Sequence, residues 1–131
     1  MNLNNYFTEH TGIGVLATAD QNGIVNTAIY ARPHVFDNAT LGFIMRDRLS
    51  RKNLLENGHA GYLFLESDGA YKGVRLRLKL IGESTDHELL SNASRSHGDE
   101  RDKPTNEQRF FVTFSLEKCF SLIGSEEIEM Q

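Results

Sequence analysis

The stretch Val74-Arg-Leu-Arg-Leu-Lys-Leu80 alternates aliphatic residues with cations. A period of two puts Val74, Leu76, Leu78 and Leu80 on one face of a β-strand and Arg75, Arg77 and Lys79 on the other, whereas a helical period would scatter both sets. The stretch therefore predicts a strand with one buried and one cationic face, and a sheet to carry it. Upstream, Gly61-Tyr-Leu-Phe-Leu65 is apolar on both faces, the pattern of a strand covered on each side. Earlier still, the β-prone runs 13–19 and 24–30 are joined by Asp20-Gln-Asn-Gly23, whose turn chemistry suits a hairpin. The second run continues to Phe36 through Pro33, which lacks an N–H and marks a break, a bulge or a sheet edge. A third strand follows over Leu41-Gly-Phe-Ile-Met45. Downstream, Phe110-Phe-Val-Thr-Phe-Ser-Leu116 and Cys119-Phe-Ser-Leu-Ile123 read as two closing strands, and the acidic tail over 125–131 is expected to fray.

Short helices punctuate these strands. Leu3, Tyr6, Phe7 and His10 recur at helical steps before Gly12 and Gly14, which predicts an amphipathic helix ended by glycine. Ser50 is a suitable N-cap for a two-turn helix carrying Leu54 and Leu55 and stopping at Gly58. Thr85 with Glu88 matches a capping box ahead of Leu89, Leu90 and Ala93. Residues 94–107 are nearly all polar and read as an exposed loop. The tally is six or seven antiparallel strands with turn signals spaced for a closed or partly closed barrel, in one domain over 1–131. The fold class is mainly β with short α: a small barrel with peripheral helices.

The 131 residues carry 14 Lys and Arg against 18 Asp and Glu, a net charge of -4, so no overall positive excess favours nucleic acid or an anionic membrane. The single cysteine, Cys119, cannot form an internal disulfide and reads as a buried thiol. The N-terminus lacks the pattern of a signal peptide and no run of residues is long and apolar enough to span a bilayer, so the expected location is the cytoplasm. The five histidines have neither helical pair spacing nor a cysteine partner, so no metal site is expected.

Against this acidic background, Met45-Arg-Asp-Arg-Leu-Ser-Arg-Lys-Asn53 is a local reversal: Arg46, Arg48, Arg51 and Lys52 fall around one helix start. Free backbone N–H groups and the positive end of the helix dipole suit an anion there. Cations in a first turn oppose the dipole, so without an anion they weaken the helix start; with a phosphate monoester the conflict disappears. The alternative is a solvated basic turn paired with nearby acids.

The run Gly14-Val-Leu-Ala-Thr18, then Asn22-Gly23, Val25-Asn-Thr27, Phe43-Ile-Met-Arg-Asp-Arg-Leu-Ser-Arg-Lys52 with Asn53-Leu54 and Glu56-Asn57, and Val74-Arg-Leu-Arg-Leu78 resembles the pyridoxamine 5'-phosphate oxidase-like, FMN-binding split-barrel family. The resemblance covers roughly residues 5 to 86. It implies a split β-barrel that binds FMN in a groove between two subunits of a homodimer. It matches Arg51 and Lys52 to the family's phosphate-binding pair, with Ser50 and nearby amides completing the cradle. Met45 and Arg46 fall where the strand end meets the cofactor, and Asn26, Thr27, Ala28, Ile29 and Tyr30 correspond to the strand bordering the isoalloxazine ring. Arg75 lies nearest the position from which a partner chain contacts the cofactor, close to the flavin N1 and C2 carbonyl. His34 is placed for a role as an acid near N5, or as a ligand in a haem-handling relative. Tyr30 is the aromatic residue best placed to stack on the ring.

The departures matter too. The chain has no Trp and ends in an acidic segment, unlike enzymes that oxidise pyridoxamine phosphate. What the resemblance implies is an FMN oxidoreductase reducing a small molecule through flavin N5, fed by a nicotinamide or another small-molecule donor, with no catalytic residue assigned. A non-catalytic FMN electron carrier and a cofactor-free dimeric binding module are the alternatives.

Overall fold

The structure, a computed structural model, describes residues 1–97 and 107–131, with side chains placed outside 94–106. Of the polar loop expected over 94–107, residues 94–97 instead continue a helix and 98–106 lie outside the described residues. In chain order the elements are α1 (Leu3–Glu9), β1 (Gly12–Ala19), β2 (Val25–Ile29), β3 (His34–Asp37), β4 (Thr40–Arg46), α2 (Leu49–Glu56), β5 (His59–Glu66), β6 (Gly73–Ser84), α3 (His87–His97) and β7 (Arg109–Ser121). The strands form one antiparallel sheet in the order β2-β1-β5-β6-β7-β4-β3. Its two edges, β2 and β3, are consecutive in the chain.

That order dictates the shape. Laid flat, seven strands would be about 29 Å across, at about 4.8 Å per spacing. The few residues between Ile29 and His34 reach about 17 Å at full stretch. The sheet must therefore curl until its edges face each other. Residues 30–33 make this crossing, and Pro33 sits where no ladder donor is needed. The edges do not pair, so the barrel is split. Tyr62, 1% exposed, fastens the crossing by donating from its hydroxyl to the carbonyls of Tyr30 and Ala31. Gly14 is required beneath it: a Cβ there would come within 1.9 Å of that hydroxyl.

The barrel interior is filled as the alternation predicts. Val74, Leu76 and Leu78 point into a core shared with Leu16, Phe43, Tyr62, Phe64 and Phe114, while Arg77 and Lys79 are exposed. Each large apolar side chain so buried stabilises the fold by about 1.5–3 kcal/mol relative to exposure. The hairpin between β1 and β2 forms as expected, with Gly23 at positive φ and the Asp20 carboxylate accepting from Asn22 and Ile24 N–H groups. Helix α1 closes one end of the barrel with Leu3, Tyr6 and Phe7.

Several sequence expectations are corrected. The second run is two strands, and the two closing strands are one. β7 runs on through a bulge at Glu117, because Arg77 faces Lys118 while Leu78 faces Leu116. Gly12 and Gly14 belong to β1, and α1 ends at Glu9 with His10 as its C-cap. Helix α2 starts before Ser50, with Arg48 at the N-cap position; Ser50 lies inside the first turn and is buried. Asn57 takes the C-cap expected one residue later at Gly58. At α3 Asp86 displaces Thr85 as the cap: its carboxylate accepts from the Leu89 N–H and its carbonyl from Leu90. The acidic tail does not fray. Ile128 donates to the Cys119 carbonyl, Ser121 donates to Glu126, and Ile128 and Met130 pack on the core.

Candidate functional site

Between the facing edges lies a cleft of about 320 Å3. Asn26, Ala28, Ile29 and Tyr30 supply one wall, Phe43, Ile44 and Arg46 of β4 the other. The Tyr30 and Phe43 rings meet edge to face at 6.0 Å between centroids and form its aromatic base. Residues 48–50 of the α2 entrance close one end, and Arg32 and His34 line the cleft as well. Three arginines and one histidine thus line it, with no carboxylate among the described lining residues. Of these, Arg46 and Arg48 belong to the basic stretch singled out in the sequence, and Arg32 and His34 lie outside it.

The α2 entrance is built to meet an anion. Its first intrahelical bond runs from Lys52 N–H to the Arg48 carbonyl, so the N–H groups of Leu49, Ser50 and Arg51 have no helical acceptor. The side chain at the N-cap position makes no capping bond, whereas Asn2 caps α1 and Asp86 caps α3. Asn53 holds the helix to the barrel by donating to the Thr18 hydroxyl at 3.1 Å, both side chains being buried.

The residues expected at the site divide into two groups. Asn26, Ala28, Ile29, Tyr30, Arg46 and Ser50 all line the cleft. Thr27 alternates to the outer face of β2, and the Met45 side chain is 1% exposed in the core. Arg51 is turned away from the cleft: its guanidinium grips both oxygens of Glu83 at 2.6 and 3.0 Å and reaches Asp47 at 2.9 Å. It also stacks 3.7 Å above the Phe110 ring, and its hydrogen bond to Glu83 holds its proton more firmly than usual. Lys52 is exposed one residue further on and does not line the cleft. Arg75 lies on the outer face, donating to the Ser121 carbonyl at 2.9 Å and to that of Gly124.

Sequence reasoning gave Arg32 no site role, took Arg48 only as a member of the basic cluster, and placed Phe43 with the core aromatics. Arg48 was visible in the basic cluster. Arg32 could have been found only by recognising residues 30–33 as the crossing between sheet edges.

Comparison with known structures fits the split sheet. The chain superposes with a TM-score of 0.75 on an FMN-binding protein from Syntrophomonas wolfei, at 18% identity over 93% of this chain and 84% of that one. A putative pyridoxamine 5'-phosphate oxidase from Lactobacillus delbrueckii gives 0.64, at 14% identity over 89% of both chains. This is the pyridoxamine 5'-phosphate oxidase-like split-barrel fold. HupZ from Group A Streptococcus shares the split barrel at a TM-score of 0.71 and 16% identity, covering 97% of this chain and 96% of that one. No protein-family model matches the sequence, and no curated protein matches it.

Proposed function

We propose that the cleft binds FMN and that the protein is an FMN-dependent oxidoreductase acting on a small molecule. The observation carrying this reading is the α2 entrance, where uncapped N–H groups, Arg46 and Arg48 converge on a cleft free of carboxylates among its described lining residues. These groups fit a phosphate monoester: the backbone N–H groups supply directed donors and the arginines supply charge. Ser50 adds a hydroxyl, and Lys52 supplies charge from two residues further along the helix. Asn26, Ala28 and Tyr30 border the ring, which a wall of short side chains and an aromatic base suits. When bound, the flavin supplies two-electron transfer through N5. The protein's part is to anchor the phosphate, orient the ring and shield its faces.

The reading includes a homodimer. Across the outer face, Ile29, Val15, Leu63, Arg75 and Phe120 stand in one registered row. Ile13, Ile29 and Leu63 are 57%, 57% and 40% exposed, an apolar surface suited to a second copy. The cation in this row, Arg75, is then the residue offered to the partner's cleft. A cytoplasmic location accords with this function; no described helix is long and apolar enough to cross a membrane.

Support for a flavin rather than another phosphate ester comes from the fold shared with an FMN-binding protein. Equilibrium dialysis against FMN tests the reading. Saturable binding at one FMN per chain is expected, and absence of binding at millimolar FMN would reject it. Turnover with NADH or NADPH and a two-electron acceptor separates the enzyme from an electron carrier that holds FMN without turnover.

A further inference from the structure

We infer that Arg32 forms a second anion subsite, at the end of the cleft remote from α2, and that the small molecule accommodated there carries an oxyanion, either a carboxylate or a phosphate. The part of this inference that calls the small molecule a substrate rests on the FMN reading; the anion subsite itself does not.

The geometry separates two charged ends. Asn26 pairs with Thr18 beside α2, and the strand then runs four residues to Tyr30, whose N–H donates to Gly14. At about 3.4 Å per residue this is about 14 Å. On the other wall, Arg46 ends β4 beside α2, while His34 pairs with Gly42, four residues back along the same strand. Arg46 and Arg48 therefore mark one end of the cleft, and Arg32 and His34 the other. Tyr30 and Phe43 lie between.

Arg32 is placed to act on a ligand. Its Nη1 donates to the carbonyls of Phe7 at 2.8 Å and His10 at 3.0 Å, which fixes the guanidinium against the end of α1. Securing that helix end is its structural role, and it uses one of the three nitrogens. A guanidinium has five N–H donors, so Nε and Nη2 keep three, and these make no hydrogen bond to any described protein group. No described carboxylate pairs with it, in contrast to Arg48, which meets Glu107 at 2.5 Å, and Arg51, which meets Asp47 and Glu83. An immobilised guanidinium with an open donor edge matches the two oxygens of a carboxylate or phosphate. Its side chain is already ordered by the two carbonyls, which lowers the entropy lost on binding.

The test is calorimetric titration of the full chain, with and without saturating FMN, using benzoate, its neutral isostere benzamide, and phenyl phosphate. The expected result is that an oxyanion binds about ten-fold or more tightly than benzamide. Preference for benzoate over phenyl phosphate assigns a carboxylate, and the reverse a phosphate. Arg32→Gln, which keeps N–H donors for the α1 carbonyls but loses the charge, should remove the Arg32 part of the preference and abolish it when FMN fills the α2 entrance; Arg32→Lys should retain it. Equal binding of benzoate, phenyl phosphate and benzamide overturns the subsite, as does a preference that Arg32→Gln leaves undiminished. Failure of FMN to bind would instead remove the FMN reading; the Arg32 contribution is then the part of the oxyanion preference that Arg32→Gln removes, since the open α2 entrance can itself take an oxyanion.

Discussion

The Tyr62 hydroxyl donates to two successive carbonyls, Tyr30 at 3.2 Å and Ala31 at 3.1 Å, and so ties the central strand β5 to the crossing between the two sheet edges. The same crossing carries Tyr30 and Arg32 of the cleft, so barrel stability and cleft shape share one fastening. Tyr62→Phe should cost about 1 kcal/mol in urea unfolding. It should also weaken FMN binding, because the Tyr30 wall loosens. Gly14→Ala should be far worse, since its methyl would overlap the hydroxyl; loss of soluble folded protein is the expected readout.

Arg51 and Arg48 should separate stability from binding. Arg51→Ala removes a bidentate ion pair to Glu83 and the stack on Phe110, from a side chain only 15% exposed. It should lower Tm by several degrees. Arg48→Ala removes an exposed pair with Glu107, worth little to the fold, and should leave Tm of the ligand-free protein near its original value. It should weaken FMN binding about ten-fold. Thermal melts and FMN titrations of both variants check the pair of outcomes.

Burial pushes the Cys119 thiol up to about 11 and, with the hydrogen bond to Glu66, raises the Tyr6 hydroxyl well above its ordinary value. A raised folded pKa means that the unfolded chain releases its proton first. The stability these groups contribute is therefore complete below their unfolded values, near 9 for the thiol and 10 for the phenol. It is lost as pH rises further, for Cys119 between about 9 and about 11. Urea midpoints should fall across this alkaline range. Cys119→Ala should show a shallower fall between pH 9 and pH 11 than the parent.

The apolar outer row gives a prediction for assembly. Leu63→Glu places a charge between Val15 and Arg75 on that face, outside the core. Sedimentation should show monomer in place of dimer, with FMN affinity reduced in the same variant. Retention of the dimer would move the interface elsewhere on the surface.

Much of the barrel was legible because its strands are written in local alternation. Val74 to Leu80 sorts by period two, and Asp20 to Gly23 carries its turn chemistry within a few residues. The split of the second run at residues 30–33 and the fusion of the closing strands at Glu117 depend on partners far along the chain, which no local pattern records. The same limit applies at the site. The basic cluster is visible as composition, but which of its cations faces the cleft depends on Glu83, 32 residues beyond Arg51, drawing that guanidinium away. Arg32 was invisible as a cleft residue because its position follows from sheet curvature.

Comparing the affinities of FMN and riboflavin, which differ only by the phosphate, tests the central claim most directly. FMN should bind about a hundred-fold or more tightly, and Arg46→Ala combined with Arg48→Ala should remove most of that advantage. Equal affinities in the parent protein, or an advantage untouched by the double substitution, would contradict a phosphate held at the entrance of α2.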